Sequence, residues 1–188
     1  MDAFIASVLA VALAEVGDKT QLLALFLTAI FARKSAIILG VLIATVLNHA
    51  VSAWLGVWVS SYLNETNLSW IVAISFIVVG LWLLVPDKDE EVDEKYLKWG
   101  AFLATTVLFF FAEIGDKTQI ATVVLAAKYT DFYMVLAGTT VGMMLANVPV
   151  IYLGSWLMSK LPFKQVRYGA CMLFLVLGVG TIARHYYF

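Results

Sequence analysis

An eight-residue motif with three ionisable side chains occurs twice in a sequence that is otherwise largely apolar. The segment AEVGDKTQ at positions 14–21 recurs as AEIGDKTQ at positions 112–119, a shift of 98 residues. Each copy places a Glu, an Asp and a Lys in an apolar stretch, where one ionisable group costs at least about 2.5–3.5 kcal/mol on membrane-insertion scales. Such groups persist where they face a cavity or a partner, so the two motifs are candidates for one functional site.

The charges of the two motifs favour a cation as the ligand. Four carboxylates and two ammonium groups sum to minus two, so one divalent cation or two protons would neutralise the set. That is the charge balance of a metal/proton exchanger. The predicted metal ligands are Glu15, Asp18, Glu113 and Asp116, and the lysines are Lys19 and Lys117. On a continuous helix, the Glu, Asp and Lys of one motif stand at i, i+3 and i+4 and share one face.

A glycine in each motif, Gly17 or Gly115, predicts a break or kink in the helix. Glycine costs about 1 kcal/mol relative to alanine in a helix interior. A break there would free backbone carbonyls as further ligands. Many secondary transporters build an ion site near the membrane midplane from such discontinuous helices.

The donor atoms of the motifs restrict the identity of the ion. Carboxylates, amide oxygens and carbonyls suit Mn²⁺, Ca²⁺ and Mg²⁺, whereas Zn²⁺ and copper favour Cys and His, which both motifs lack. Mg²⁺ rarely occupies a site made only of protein ligands, so Mn²⁺ and Ca²⁺ remain. A purely structural alternative pairs Glu15 with Lys19 and Glu113 with Lys117, but it leaves both Asp residues unexplained.

Several uncharged polar residues are predicted to support the ligands. An amide could hydrogen-bond a carboxylate or donate its oxygen to the ion, whereas the Thr and Gln side chains could instead bond the backbone of their own broken helix. The supporting residues are Asn48, Asn147, Thr20, Thr118, Gln21 and Gln119. His49 aligns with Asn147 under the shift of 98 residues, and we interpret it as an interior histidine rather than a ligand.

The composition indicates a membrane protein. Hydrophobic residues make up 63% of the 188 residues and charged residues 13%, with a mean hydropathy of +0.94. Soluble domains have about 45–50% apolar and about 25% charged residues, so the excess must face lipid. A net charge of −1 without a basic cluster argues against nucleic-acid binding.

Apolar runs of about 20 residues, the length that crosses roughly 30 Å of hydrocarbon, predict an all-α polytopic membrane protein with six transmembrane helices. The predicted spans are Phe4–Phe31, Ala36–Tyr62, Leu68–Val85, Gly100–Ala127, Phe132–Met158 and Tyr168–Tyr187. Residues 1–85 and 100–188 form two three-helix repeats, joined by an acidic cytoplasmic linker at 86–99. Since each repeat has three spans, the second is inverted, and a pseudo-two-fold axis in the membrane plane brings the motifs face to face.

The distribution of Lys and Arg predicts that both termini lie outside the cytoplasm. Loops after spans one, three and five share one side, and positive loops face the cytoplasm. That side holds Arg33, Lys34, Lys88, Lys95, Lys98, Lys160, Lys164 and Arg167, whereas the other holds Lys128 and Arg184.

The repeated Glu-x-Gly-Asp-Lys-Thr resembles the signature of a cation/proton antiporter family, which includes Golgi calcium/manganese transporters and bacterial manganese exporters of the MneA type. Both copies match it fully, at positions 15–20 and 113–118. The resemblance covers nearly the whole chain. It implies that Glu15, Asp18, Glu113 and Asp116 coordinate the metal near the membrane midplane, with alternating access and proton coupling.

The resemblance also favours manganese export over calcium exchange, and the short linker suggests a prokaryotic inner-membrane protein. The partners implied are a divalent metal ion and protons as substrates, within a lipid bilayer; no cofactor, nucleic acid or particular oligomeric state is predicted. A Ca²⁺/H⁺ exchanger is the alternative within the same class. An intramembrane enzyme that uses Mg²⁺ to act on a lipid phosphate is the alternative from another class, although only Lys19 and Lys117 could bind the phosphate.

Overall fold

The computed structural model of the chain describes residues 1–85 and 94–187, and the regular elements within these ranges are all helices. They are α1 (Asp2–Glu15), α2 (Lys19–Ile30), α3 (Lys34–Ser60), α4 (Glu65–Trp82), a 3₁₀ helix (Glu94–Trp99), α5 (Gly100–Glu113), α6 (Lys117–Tyr129), α7 (Phe132–Leu153), α8 (Ser155–Lys160) and α9 (Phe163–Tyr187). Most of the predicted linker at 86–99, including most of its acidic residues, lies outside the described residues.

Four of these helices, α3, α4, α7 and α9, are long and apolar enough to cross a membrane. A fifth span is formed if the 3₁₀ helix and α5 are joined to α6, which is bent by 70° from them. Large apolar side chains such as Val51, Leu145 and Val176 are exposed along these helices, as lipid-facing positions require. The protein is therefore an all-α polytopic membrane protein, as the sequence predicts, and the count of six spans stays a prediction.

Four predicted spans differ from the helices observed. The first span consists of α1 and α2, two short helices separated at residues 16–18, and the fourth consists of α5 and α6, separated at residues 114–116. The fifth is divided at Gly154, whose φ of +61° ends α7 before α8 begins, a conformation that glycine adopts without strain. The sixth span was predicted to begin at Tyr168, but α9 begins at Phe163, directly after Pro162. Proline is tolerated at the start of a helix but not in its interior, so the helix begins next to this residue.

The helix boundaries repeat along the chain. α5, α6, α7 and α9 each begin 98 residues after α1, α2, α3 and α4, respectively. α1 packs along α7, and their counterparts α5 and α3 pack in the same way, while α4 packs against α9. These reciprocal contacts support the predicted two-fold relation between the halves, although the inverted insertion itself stays a prediction.

Small residues allow these helices to approach closely. A Cβ added at Gly40 would lie 2.7 Å from Cβ of Thr105, and one added at Gly138 would lie 2.7 Å from Cβ of Ser7. The two contacts are equivalent under the shift of 98 residues. Inside a membrane the lipid is as apolar as the side chains, so the hydrophobic effect does not drive helices together. Van der Waals packing at close crossings of this kind does so instead.

Gly56 gives a test of the α3–α6 crossing. A Cβ at this position would collide with the carbonyl oxygen of Val123 and lie 2.8 Å from Cβ of Ala126. We expect Gly56→Ala to lower the free energy of unfolding by about 1–3 kcal/mol, the usual cost of overpacking, measured by thermal unfolding in detergent.

Gly169→Ala is the matched control, because no atom of the described residues lies within 4 Å of a Cβ added there on α9. It should be neutral or stabilise the helix by up to about 1 kcal/mol. Equal unfolding temperatures for the two variants would contradict the packing described.

Candidate cation site

The first motif folds as a tight turn between α1 and α2. Val16 has φ −66° and ψ 115°, Gly17 has φ +82°, and the amide of Asp18 donates a hydrogen bond to the carbonyl oxygen of Glu15 at 3.1 Å. These values are those of a type II turn, whose third residue requires a positive φ and is therefore usually glycine. The glycine of the motif is explained by this turn.

The second motif repeats the turn between α5 and α6. Ile114 has φ −65° and ψ 119°, Gly115 has φ +77°, and the amide of Asp116 donates to the carbonyl oxygen of Glu113 at 3.2 Å. In both motifs, therefore, the glutamate is the last residue of one helix and the aspartate is the N-cap of the next. The prediction that Glu15, Asp18 and Lys19 share one face of a continuous helix was wrong, because the helix ends at Glu15.

Other residues of the motifs accept hydrogen bonds from backbone amides near the start of the second helix. Gln21 accepts a hydrogen bond from the amide of Gly17 at 2.9 Å, and Gln119 accepts one from Gly115 at 2.7 Å. This resembles a capping box, in which the third helical residue reaches back to the start of the helix. Asp116 also accepts from the amide of Thr118 at 3.2 Å. The motif thus ends and restarts a helix while satisfying donors that would otherwise be unpaired.

Carboxylates from both motifs meet inside the bundle. Oxygen atoms of Glu15, Glu113 and Asp116 lie within 4.8 Å of one another, and all three residues are buried. Two oxygens on one Ca²⁺ can be separated by at most about 4.6–5.2 Å, twice the usual bond length. The three groups are therefore close enough to share one cation of this size.

A threonine in each motif orients the glutamate of the same motif. Thr20 Oγ1 donates to Glu15 Oε2 at 2.7 Å. Thr118 Oγ1 lies 3.2 Å from Glu113 Oε2 and 3.1 Å from Asp116 Oδ2, so its single proton is shared between two carboxylates. Oε1 of Glu15 and Oε1 of Glu113 have no hydrogen-bond partner among the described residues, which makes them the candidate ligand atoms.

The surroundings of these acids favour a positive charge. At 4.8 Å and an effective dielectric constant of about 20, two ionised carboxylates repel each other by roughly 3.5 kcal/mol. Glu15 and Glu113 also lie at the C-terminal ends of α1 and α5, where the helix dipoles place partial negative charge. A bound cation or protons would remove both sources of repulsion.

The other charged residues of the motifs lie beside this cluster. Asp18 is 4% exposed and interacts electrostatically with Glu113, but it is not among the three acids whose oxygens lie within 4.8 Å of one another. Lys19 is half-buried and also interacts with Glu113. Lys117 is buried, donates to the carbonyl oxygen of Val85 at 2.8 Å and lies 5.9 Å from the ring centre of Trp82. The two lysines thus have different surroundings.

The predicted supporting amides contact the backbone. Asn48 donates to the carbonyl oxygen of Phe110 at 3.0 Å, and Asn147 donates to that of Met143 at 3.2 Å. Gln21 donates to the carbonyl oxygen of Ala146 at 2.9 Å, which ties the first motif to α7. His49 is fully buried, and among the described residues neither of its ring nitrogens has a hydrogen-bond partner.

Two residues at the first motif were not predicted to belong to the site. Arg167 Nη2 donates to the carbonyl oxygen of Gly17 at 3.2 Å, and a Cβ added at Gly17 would lie 2.6 Å from Cδ1 of Phe163. From the sequence, Arg167 contributes only to the predicted orientation of the chain. Their position between Pro162 and the apolar run of α9 was the available signal, but it does not reveal a contact with residue 17.

Comparisons with known proteins identify a family. The sequence model of the divalent cation/proton antiporter GDT1 matches residues 3–91 and 101–187. A protein of Vibrio cholerae named "Putative manganese exporter" is 46% identical over 176 residues, which cover 93% of this chain and 88% of that protein. GDT1-like protein 4 of Oryza sativa subsp. japonica is 30% identical over 93% of this chain and 70% of its own length.

A GDT1-like protein of Synechocystis is 26% identical over 95% of this chain and 96% of its own length. No solved structure matches the chain significantly.

The two turns allow a matched test of the glycines. Alanine at either position must adopt a left-handed conformation, at a cost of about 1–2 kcal/mol. Only Gly17→Ala also places its Cβ against Phe163, since a Cβ at Gly115 meets no described atom within 4 Å. We therefore expect Gly17→Ala to lower the unfolding temperature in detergent more than Gly115→Ala does.

Phe163→Ala is the control for this comparison. In that background the ring is absent, so the two glycine substitutions should become nearly equal in cost, as a double-mutant cycle would show. A difference that persists without the ring would rule out the contact as its cause.

Proposed function

Since the chain belongs to the divalent cation/proton antiporter family GDT1, we propose that it exports Mn²⁺ from the cytoplasm in exchange for protons. The family is one of transporters, so the protein is not an enzyme, and the lipid-phosphate enzyme considered from the sequence is excluded. The relative from Vibrio cholerae carries manganese export in its name, and this supports the choice of Mn²⁺ as cargo.

One observation carries the proposed site, namely the meeting of buried carboxylates from both motifs. Glu15, Glu113 and Asp116 have oxygens within 4.8 Å of one another. In the proposal these three bind the cation, and Asp18, which already interacts with Glu113, joins them as the halves move. Hard oxygen ligands of this kind suit Mn²⁺ and Ca²⁺.

Competition for the same oxygens would couple the metal to protons. Buried acids this close together cannot all be ionised without a compensating charge, because ionised carboxylates repel one another. In the proposed cycle a divalent cation displaces protons from the site on the cytoplasmic side, and protons displace the cation on the other side. Thr20 and Thr118 hold one oxygen of each glutamate in place throughout.

We place the protein in a prokaryotic plasma membrane with both termini outside the cytoplasm. The excess of Lys and Arg in the loops after spans one, three and five supports this orientation. Export then requires the cation to enter the site from the side that holds these loops.

Purified protein in liposomes provides the test of the proposed site. An inward proton gradient should drive Mn²⁺ out of the compartment that corresponds to the cytoplasm. We expect Glu15→Gln, Glu113→Gln and Asp116→Asn each to lower the initial flux at least about tenfold, since loss of even an outer partner of a metal site costs 10–100-fold. The flux is followed with a Mn²⁺-sensitive dye.

Asp131→Asn is the matched control for Asp116→Asn. Each aspartate caps a helix with its side chain, Asp116 at α6 and Asp131 at α7, but Asp131 is half-buried and lies outside the cluster, whereas Asp116 is buried within it. Asp131→Asn should keep its flux. Wild-type flux in Glu15→Gln and Glu113→Gln would eliminate the cluster as the transport site.

Competition between ions separates the two candidate cargoes. With Mn²⁺ as the physiological cargo, Ca²⁺ at equal concentration should reduce Mn²⁺ flux by less than half. Dominant Ca²⁺ flux in the same liposomes would instead favour the Ca²⁺/H⁺ exchanger. Loss of both the Mn²⁺ flux and the Ca²⁺ flux in Glu113→Gln is expected in either case, because both ions would bind the same carboxylate oxygens.

A further inference from the structure

His49 is a fully buried imidazole, and among the described residues neither of its ring nitrogens has a hydrogen-bond partner. A buried polar atom without a partner is costly, because it has lost the hydrogen bonds that it made with water. Most buried polar side chains in folded proteins are therefore hydrogen-bonded. His49 lacks the bond that an interior histidine is expected to make, so its nitrogens are available to a ligand.

The equivalent residue of the other half has the same feature. Under the shift of 98 residues His49 corresponds to Asn147, which is fully buried and whose Oδ1 has no partner in the described part of the chain. Within that part, two pairs of equivalent residues have unpartnered buried atoms in both halves, namely Glu15 with Glu113 and His49 with Asn147. Since the glutamate oxygens are the candidate ligand atoms, this recurrence links the second pair to the same ion.

The path of α3 takes His49 past the turn of the second motif. Asn48 donates to the carbonyl oxygen of Phe110, near the end of α5. Further along α3, a Cβ added at Gly56 would collide with the backbone of α6. α3 therefore crosses the turn at 114–116 between these two contacts, which is the part of the helix that contains His49.

The path of α7 takes Asn147 past the turn of the first motif in the same way. Gln21, which belongs to that motif, donates to the carbonyl oxygen of Ala146 at 2.9 Å. One turn earlier in α7, a Cβ added at Gly142 would lie 3.0 Å from the amide nitrogen of Ala12, near the end of α1. The two unpartnered side chains thus lie on the helices that cross the two motif turns.

We propose that His49 is a ligand of the transported cation and the residue that selects Mn²⁺ over Ca²⁺, with Asn147 as the oxygen ligand at the equivalent position. The inference rests on the proposed function, because it concerns the ion held by the same carboxylates. In the described conformation His49 is not among the residues whose ligand atoms lie within 4.8 Å of one another. Like Asp18, it joins the three acids as the halves move around the cation.

An imidazole nitrogen distinguishes the two candidate cargoes. Ca²⁺ takes oxygen ligands in proteins, whereas first-row transition metals such as Mn²⁺ also bind nitrogen. The carboxylates of the motifs suit both ions, so they balance the charge without choosing between them. The nitrogen of His49 then supplies the preference for Mn²⁺. Because the equivalent position holds Asn147, only one half contributes such a ligand.

Pulsed electron paramagnetic resonance of bound Mn²⁺ tests the ligand on the full chain in lipid nanodiscs, with Mn²⁺ as the only added metal. Electron spin echo envelope modulation detects a nitrogen bound to the ion, and ¹⁵N-histidine shows whether this nitrogen belongs to a histidine. The chain has two histidines, and the other one, His185, lies about five helical turns beyond Arg167 on α9. We expect the histidine signal in the wild type and in His185→Asn, and its loss in His49→Asn.

Calorimetric titration with Mn²⁺ and with Ca²⁺ is the second measurement. His49→Asn introduces the residue that the other half carries at the equivalent position, which makes it a conservative change. We expect it to weaken Mn²⁺ binding roughly tenfold or more, since loss of even an outer partner of a metal site costs 10–100-fold. Ca²⁺ binding should stay nearly unchanged. His185→Asn is the matched control and should leave both affinities at the wild-type values.

Bound Mn²⁺ without a histidine signal would overturn the inference, and the proposed site would stand if Glu113→Gln abolished that binding. Equal weakening of Mn²⁺ and Ca²⁺ binding in His49→Asn would overturn the role in selectivity. Absence of Mn²⁺ binding in the wild type would remove both the proposed cargo and its ligand. The signal in His185→Asn leaves His49 as the single histidine, so this part of the test does not depend on the folding of His49→Asn.

Discussion

Electrostatic repulsion among acids from two halves of one chain is the constraint on which the rest of the structure depends. Glu15 and Glu113 are fully buried, and their oxygens lie within 4.8 Å of each other and of Asp116 in an apolar bundle. With well-packed apolar side chains at such positions, a protein is often at least as stable as with buried charges. The acids therefore do not serve stability. Their arrangement needs a cation or protons to balance it, and exchange of one for the other is the reaction of the family.

Bringing these acids together requires helices to end inside the bundle, where no water satisfies their backbone groups. The motif solves this locally. Its glycine permits the type II turn, its aspartate caps the next helix, and its glutamine accepts the hydrogen bond of the glycine amide. Its threonine is then free to hold the glutamate. Each residue of the motif except its alanine, the variable Val16 or Ile114, and the lysine thus has a role in placing a carboxylate at a helix end.

Sequence patterns predicted the parts of this arrangement that depend on local chemistry. Composition and apolar runs predicted an all-helical membrane protein, and the glycines predicted the breaks at residues 17 and 115, both of which the structure contains. The position of each side chain was harder to predict. A helical face was expected to carry Glu15 with Asp18, but the turn separates them onto two helices. The contact between Arg167 and Gly17 joins residues 150 positions apart and depends on how α9 packs, which no local pattern reveals.

Departures from the repeat carry as much functional meaning as the repeat itself. Two identical halves related by a two-fold axis would give inward-open and outward-open states of equal free energy, because exchanging the halves converts one into the other. Only residues that differ between the halves can favour one state. Phe163 and Arg167, which contact the turn at Gly17, are such a difference, because the equivalent positions in the other half hold Glu65 and Ser69. In the proposal the two nearly identical motifs bind the cation, so residues that differ between the halves, such as those at the start of α9, are left to favour one state over the other.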